Sequence, residues 1–276
     1  MSNLLFSVLV FFSSVAAGLV GALTGLGGGV IIIPLLTIFF GVDIRYAAGA
    51  SLISVIATSS GAASAYVKEG FSNIRIGMFL EIATTLGAII GATLVVFVSP
   101  GAISIIFGLV LIYSAFQAYL SSRAVEHNYK PDKIATKLKL NGEYPSMSGI
   151  KNYFPQKVPL GFGIMFLAGS LSGLLGIGSG AVKVLAMDQF MKIPFKVSTT
   201  TSNFMIGVTA AASAGIYFRH GFINPSLAMP VMLGVLAGAF VGAKILTRTP
   251  SKILKIFFSI IIIILAIEML RNGLIK

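Results

Sequence analysis

The 276-residue chain contains no cysteine, and only 10% of its residues are charged. The first absence excludes disulfides, thiolate metal sites and sulfur-relay chemistry. The second excludes a fold surrounded by water. Soluble domains carry about 25% charged residues, and a chain this poor in charge cannot cover a water-facing surface. Also missing are a His, Cys and carboxylate cluster at metal-ligand spacing and a glycine loop ending in the Lys-Ser/Thr of a nucleotide site. Nothing in the sequence calls for an enzyme, a metal or a cofactor.

What is present is apolar: 56% of the residues are hydrophobic, and 31 are glycine. Apolar runs of about 18 residues or more recur, and about 20 residues of helix cross a bilayer core. Glycine suits close helix packing and broken helices in a membrane. The formal net charge is +12. Its Lys and Arg residues gather in short loops and at helix ends, as the positive-inside rule expects. They are not interleaved with exposed aromatics, so the expected partner is a lipid bilayer and not nucleic acid.

The second half of the chain matches the first without a gap at a displacement of 151 positions. Gly25-Leu26-Gly27-Gly28-Gly29 falls on Gly176-Ile177-Gly178-Ser179-Gly180, Ser51 on Ser202, Tyr66 on Tyr217, and Asn73 on Asn224. Gly70-Phe71 falls on Gly221-Phe222, and Gly87-Ala88 on Gly238-Ala239. Internal duplication recurs in transporter folds. The match also assigns the apolar stretch 4–20, which resembles a signal peptide without a basic leader, to a retained structural helix.

Each half divides into five hydrophobic pieces: 4–24, 30–40, 46–67, 76–98 and 102–120, then 158–175, 181–191, 197–218, 226–246 and 253–270. The second piece of each half rises only about 16 Å, too short to span, and reads as a half-helix following a glycine break. The expected fold is therefore an all-α polytopic membrane protein. It has two homologous repeats (1–121 and 158–276), each with a glycine-broken helix pair followed by three transmembrane helices. Residues 122–157 form a basic linker carrying Arg123, Lys130, Lys133, Lys137, Lys139, Lys151 and Lys157, expected on the cytoplasmic side. Inverted repeats would place Lys68, Arg75, Lys192, Lys196, Arg248 and Lys252 inside. Parallel repeats would put the last four outside, so the charge rule favours inversion.

A glycine run inside a membrane helix needs a reason. One is close helix crossing. The other is an unwound backbone whose N–H groups, with the following helix start, face an anion. The recurrence of the break in both halves favours the second, and Gly27, Gly28, Gly29, Gly178, Ser179 and Gly180 become candidate binding groups. Lys183 lies three residues past Gly180 where the first half has Ile32. A lysine within an apolar half-helix is costly, so it is a candidate charge for an anion, or else a partner for Asp188. Ser51, Ser202 and Asn203 open the third long helices with groups suited either to an oxyanion or to interhelical hydrogen bonds. Glu81 stands alone in an apolar helix, as a candidate proton carrier or the mate of a nearby cation.

These residues resemble the TauE/SafE family, the sulfite-exporter-like or toluenesulfonate-uptake-permease group, over nearly the whole chain. The resemblance is carried by Gly25–Gly29 with Pro34, by Ala50-Ser51-Leu52, and by the helix holding Gly87–Gly91. In the second half it is carried by Gly176–Gly180, Lys183-Val184 and the run Thr201–Ala210. Ser179 stands where the family commonly has glycine, and Leu185 where proline is expected. The resemblance implies a plasma-membrane transporter for sulfite, sulfoacetate or a related organosulfonate. A coupling ion, proton or sodium, is a candidate second partner. A passive anion channel and a non-transporting scaffold are the alternatives.

Overall fold

The computed structural model describes residues 3–24, 28–68, 72–120, 132–146, 149–178, 180–246 and 251–275. Helix α1 runs Asn3–Thr24, and the short α2 (Gly29–Pro34) continues into a widened π turn, Leu35–Phe39. Three long helices follow: α3 (Ile44–Lys68), α4 (Ile74–Leu94) and α5 (Pro100–Leu120). After α6 (Lys133–Lys137) and an antiparallel hairpin of β1 (Gly142–Ser146) and β2 (Gly149–Tyr153), the order recurs. Helix α7 (Val158–Leu175) leads to α8 (Gly180–Leu185) and a π turn over Ala186–Phe190. Then come α9 (Phe195–Arg219), α10 (Pro225–Leu246) and α11 (Ser251–Ile275). The protein is all-α apart from that one hairpin among the described residues.

Side-chain placement is that of a membrane protein. Along α4 the face carrying Met78, Ile82, Leu86 and Ile90 is exposed, while Leu80, Glu81, Thr84, Gly87, Ala88 and Gly91 are buried. Large apolar groups stand exposed on other helices too, among them Phe12, Phe116, Leu167, Phe218 and Phe240. Such a surface is stable against lipid and not against water. Leu4–Gly21, Ile74–Leu94 and Val158–Leu175 are each long and apolar enough to cross a bilayer.

The short helices arise in the same way in both places. In the first, the π turn closes through Val42 N–H donating to the Leu36 carbonyl, with Gly41 at φ 65°. In the second, Ile193 N–H donates to the Met187 carbonyl, with Lys192 at φ 57°. A left-handed residue ends a helix most cheaply as glycine, and Lys192 bears that strain. The 11-residue pieces expected from hydropathy are thus six helical residues and a five-residue π turn.

Helix α1 packs mainly on α10, α4 on α7, α3 on α9, and α5 on α11. The first two contacts are made backbone to backbone through glycine. A Cβ at Gly87 would fall on the Phe166 carbonyl, one at Gly91 on the Ser170 carbonyl, and one at Gly238 on the Val15 carbonyl. Thr84 meets Gly169 and Ala88 meets Gly173, so α4 and α7 run the same way. By contrast Ser59 meets Gly207, Gly49 meets Phe222, and the start of α4 at Asn73 meets Thr201, so α3 and α9 run oppositely. Gly108 lies on Ala266 and Leu270, and Gly273 on Gly101 and Ile105, so α5 and α11 also run oppositely.

The 122–157 segment, read from sequence as a polar linker, is docked where it is described. Ala135, Leu140 and Tyr153 are buried in a cluster with Ile76, Leu80, Met187 and Met205. Asn73 caps α4 through its Oδ1 while its Nδ2 donates to the Tyr153 hydroxyl at 2.6 Å. Burial pushes the Tyr153 phenol up to about 12, against the lowering effect of the Asn73 hydrogen bond.

The helix contacts predict opposite outcomes for two glycines. Gly91→Ala forces α4 off α7 and lowers stability by about 1–3 kcal/mol. Gly163→Ala, where nothing lies within 4 Å of the added methyl, is neutral or slightly stabilising. Thermal unfolding in detergent checks both.

Candidate functional site

The two glycine turns meet at the centre. Gly29 packs against Ser51, Val55 and the Gly176 carbonyl; Gly178 packs against Val55 and Ile206. Val55 of α3 therefore touches both turns. Gly176 and Gly178 adopt φ of 71° and 72°, a left-handed backbone that glycine takes without penalty. Gly28 lies against Val235 of α10. Gly27 and Ser179 lie outside the described residues.

The hydroxyls at these turns are already engaged. Ser51 donates to the Gly176 carbonyl at 2.9 Å, and Ser202 to the Gly180 carbonyl at 3.2 Å. Tyr217 donates to the Leu174 carbonyl at 2.9 Å. In this conformation Ser51 and Ser202 hold the second turn in shape, while at the start of α2 the N–H groups of Ile31 and Ile32 donate to the Gly28 carbonyl. Asn203 is half-buried on the α9 face shared with Ile206 and Gly207, which meet Gly178 and Ser59.

One turn further along α9 from Ile206 lies the strongest chemistry in the chain. Lys183 of α8 is fully buried, and its Nζ donates to Thr209 Oγ1 at 2.5 Å. Thr209 in turn donates to Glu81 Oε1 at 2.6 Å. Thr85 donates to the same oxygen at 3.1 Å. The second carboxylate oxygen, Oε2, stands 3.8 Å from Lys183 Nζ and is buried without a hydrogen-bond partner. Lysine thus pairs with Glu81 and not with Asp188, whose Oδ2 accepts from Gln189. Unit charges at this separation attract by about 4 kcal/mol at an effective dielectric of 20. Taking both from water costs a comparable amount, so such a pair adds little to stability and calls for another reason.

Sequence reading found Lys183 and Glu81 separately but not their contact, because they lie on distant elements. It did not single out Thr209 or Thr85. The Glu81–Thr85 spacing of one helical turn was the available signal, since residues four apart share a face. The second half of the pattern is absent from the other side: the positions displaced by 151 are Ile32, Met232 and Thr58, which hold no charge.

Two cavities lie away from this pair. One, of about 320 Å³, is lined by Ser72, Asn73, Arg75, Asn141, Glu143 and Tyr153, beneath the hairpin. The other, of about 560 Å³, is lined by Leu4, Phe6, Ser7, Asn224, Ser226 and Leu227. Asn73 and Asn224 open α4 and α10 at positions 151 apart. Neither cavity is lined by Lys183 or Glu81.

Broken helices meeting inside an apolar bundle, beside a buried charge pair, are features of membrane transporters. The comparison with known proteins agrees. The family model described as sulfite exporter TauE/SafE matches residues 10–269, and the chain belongs to that family. It is 28% identical over 274 residues to the probable membrane transporter protein YunE of Bacillus subtilis, covering 97% of this chain and 98% of that one. It is 27% identical over 253 residues to the probable membrane transporter protein YdhB of the same organism, covering 91% and 94%. With the probable membrane transporter protein MJ0441 of Methanocaldococcus jannaschii the identity is 24% over 281 residues, covering 97% and 96%. No solved structure matches the chain.

The pairing has a measurable signature. Glu81→Ala strands a buried ammonium and lowers stability by about 3–5 kcal/mol, whereas Lys183→Met combined with Glu81→Gln removes both charges and stays near wild type. Melting temperatures in detergent compare them; equal losses in the single and double variants would remove the ion pair.

Proposed function

We propose that the protein is a secondary transporter that moves a small sulfur-containing anion, such as sulfite, sulfoacetate or a related organosulfonate, across the plasma membrane. It crosses the bilayer many times and works without enzyme chemistry. Its halves, 1–121 and 158–276, are inverted repeats joined by a cytoplasmic linker. The antiparallel packing of α3 on α9 and of α5 on α11 supports this, because each pair occupies the same place in its half and inversion reverses direction.

The observation that carries the reading is Lys183, a fully buried cation one turn of α9 from the Gly178 contact. The anion lies between that ammonium and the turns at Gly27–Gly29 and Gly178–Gly180, with Ser51, Ser202 and Asn203 around it and Glu81 as the coupling group. Because the ammonium has no exposed surface, the anion reaches it only when the halves move apart on one side and then the other. The substrate class rests on the family resemblance, since cavity groups and not folds choose substrates.

Proteoliposome counterflow with labelled sulfite and a panel of organosulfonates tests this. Saturable counterflow is expected, and Lys183→Ala should lower it by about tenfold or more, the scale of a lost charge-assisted contact. Non-saturating flux without counterflow would instead identify an anion channel, and unchanged flux in the variant would take Lys183 out of the site.

A further inference from the structure

We propose that the anion and a proton enter the site together, because the anion replaces Glu81 as the counter-charge of Lys183. The inference rests on the anion reading above and adds to it the coupling ion, the stoichiometry and the preferred substrate charge.

The argument is one of charge balance in an apolar interior. Among the described residues, the one cation within ion-pair distance of Glu81 is Lys183, at 3.8 Å. Helix α7 carries no ionisable side chain. Helix α9 carries Lys196 and Arg219, both at its ends, and Tyr217, whose hydroxyl is bound to the Leu174 carbonyl. On α8 and its π turn there are Lys183 and Asp188, the latter directed to Gln189. On α4 itself the other charge is Arg75, exposed at the helix start. The group Lys183, Thr209, Glu81 and Thr85 therefore sums to zero.

An arriving monoanion adds one negative charge. Two anions against one ammonium would leave a net buried charge, which costs several kcal/mol. A proton on Glu81 restores neutrality. The empty site holds an ammonium and a carboxylate; the loaded site holds an ammonium, the anion and a carboxylic acid. One proton is taken from the open side with each anion and released with it on the other.

The hydrogen bonds already present indicate where that proton goes. Oε1 accepts from Thr209 and Thr85 and is occupied, whereas Oε2 has no hydrogen-bond partner and faces the Lys183 ammonium at 3.8 Å. Protonated at Oε2, the acid becomes a donor toward the place where the anion must sit. Ile32 and Met232 occupy the positions displaced by 151, so the other half brings no second copy of this pair. A monoanion then moves electroneutrally, a dianion moves with one net negative charge, and an inward proton gradient drives uptake.

Methanesulfonate, a monoanion throughout the working pH range, is the probe. In wild-type proteoliposomes an inside-alkaline gradient of one pH unit should accumulate it about tenfold, with one proton entering per anion by a trapped pH dye, as reciprocal linkage requires. Clamping the membrane potential should change neither. In Glu81→Gln, whatever counterflow remains should no longer rise as pH falls, and a pH gradient should drive no accumulation. Wild-type counterflow that ignores the pH gradient, or dye traces showing no proton per anion, would overturn the coupling while leaving the anion reading intact. Absence of wild-type counterflow with both methanesulfonate and sulfite would overturn the anion reading and this inference with it. Should Glu81→Gln fail to fold, the wild-type proton count decides alone.

Discussion

Carbonyl groups in an apolar bundle must find donors within the protein, and that requirement organises the centre of this molecule. Unwinding the chain at Gly176–Gly180 frees carbonyls that an unbroken helix would have used. Three of the surrounding carbonyls, those of Leu174, Gly176 and Gly180, take hydroxyl protons from Tyr217, Ser51 and Ser202. Ser51 comes from α3 and the other two from α9, so the two longest inner helices brace the turn from both sides. The direction of α8, and with it the placement of Lys183, follows from that bracing.

Once α8 is aimed, an ammonium lies deep in the bundle and requires an acid. Glu81 supplies it from α4, through Thr209. The element limits recur, since α2 with its π turn and α3 begin and end 151 positions before α8 with its π turn and α9. The chemistry placed on these elements is one-sided. The charges stand at one member of each matched pair, Lys183 against Ile32 and Glu81 against Met232.

Much of the frame was legible in the sequence because it rests on local properties. Hydropathy located the long helices, and the glycine breaks marked the short ones. The π turns were not legible, because a helix widens there through five-residue bonds such as Met191 to Ala186 that no pattern of apolar residues announces. The linker was read by its charge alone; the burial of Ala135, Leu140 and Tyr153 depends on an apolar surface built by α4, α9 and the second π turn. In the site, Lys183 and Glu81 were conspicuous as costly residues, yet their contact required the crossing of α8, α9 and α4. Ser51 and Ser202 were suited by sequence either to a solute or to interhelical hydrogen bonds, and in this conformation their protons go to the turn; a hydroxyl's choice between backbone and solute is a matter of geometry and not of composition.

The hairpin docked beside Asn73 has a thermodynamic meaning. Asn224 occupies the matching place at the start of α10, but its cavity is bordered by the first residues of α1 and not by a folded insert. Two inverted halves of identical sequence would make the forms open to either side equal in energy. With the halves inverted as proposed, an insert that buries Tyr153 at one end would remove that degeneracy and weight the resting population toward one face of the membrane before any ion or solute arrives.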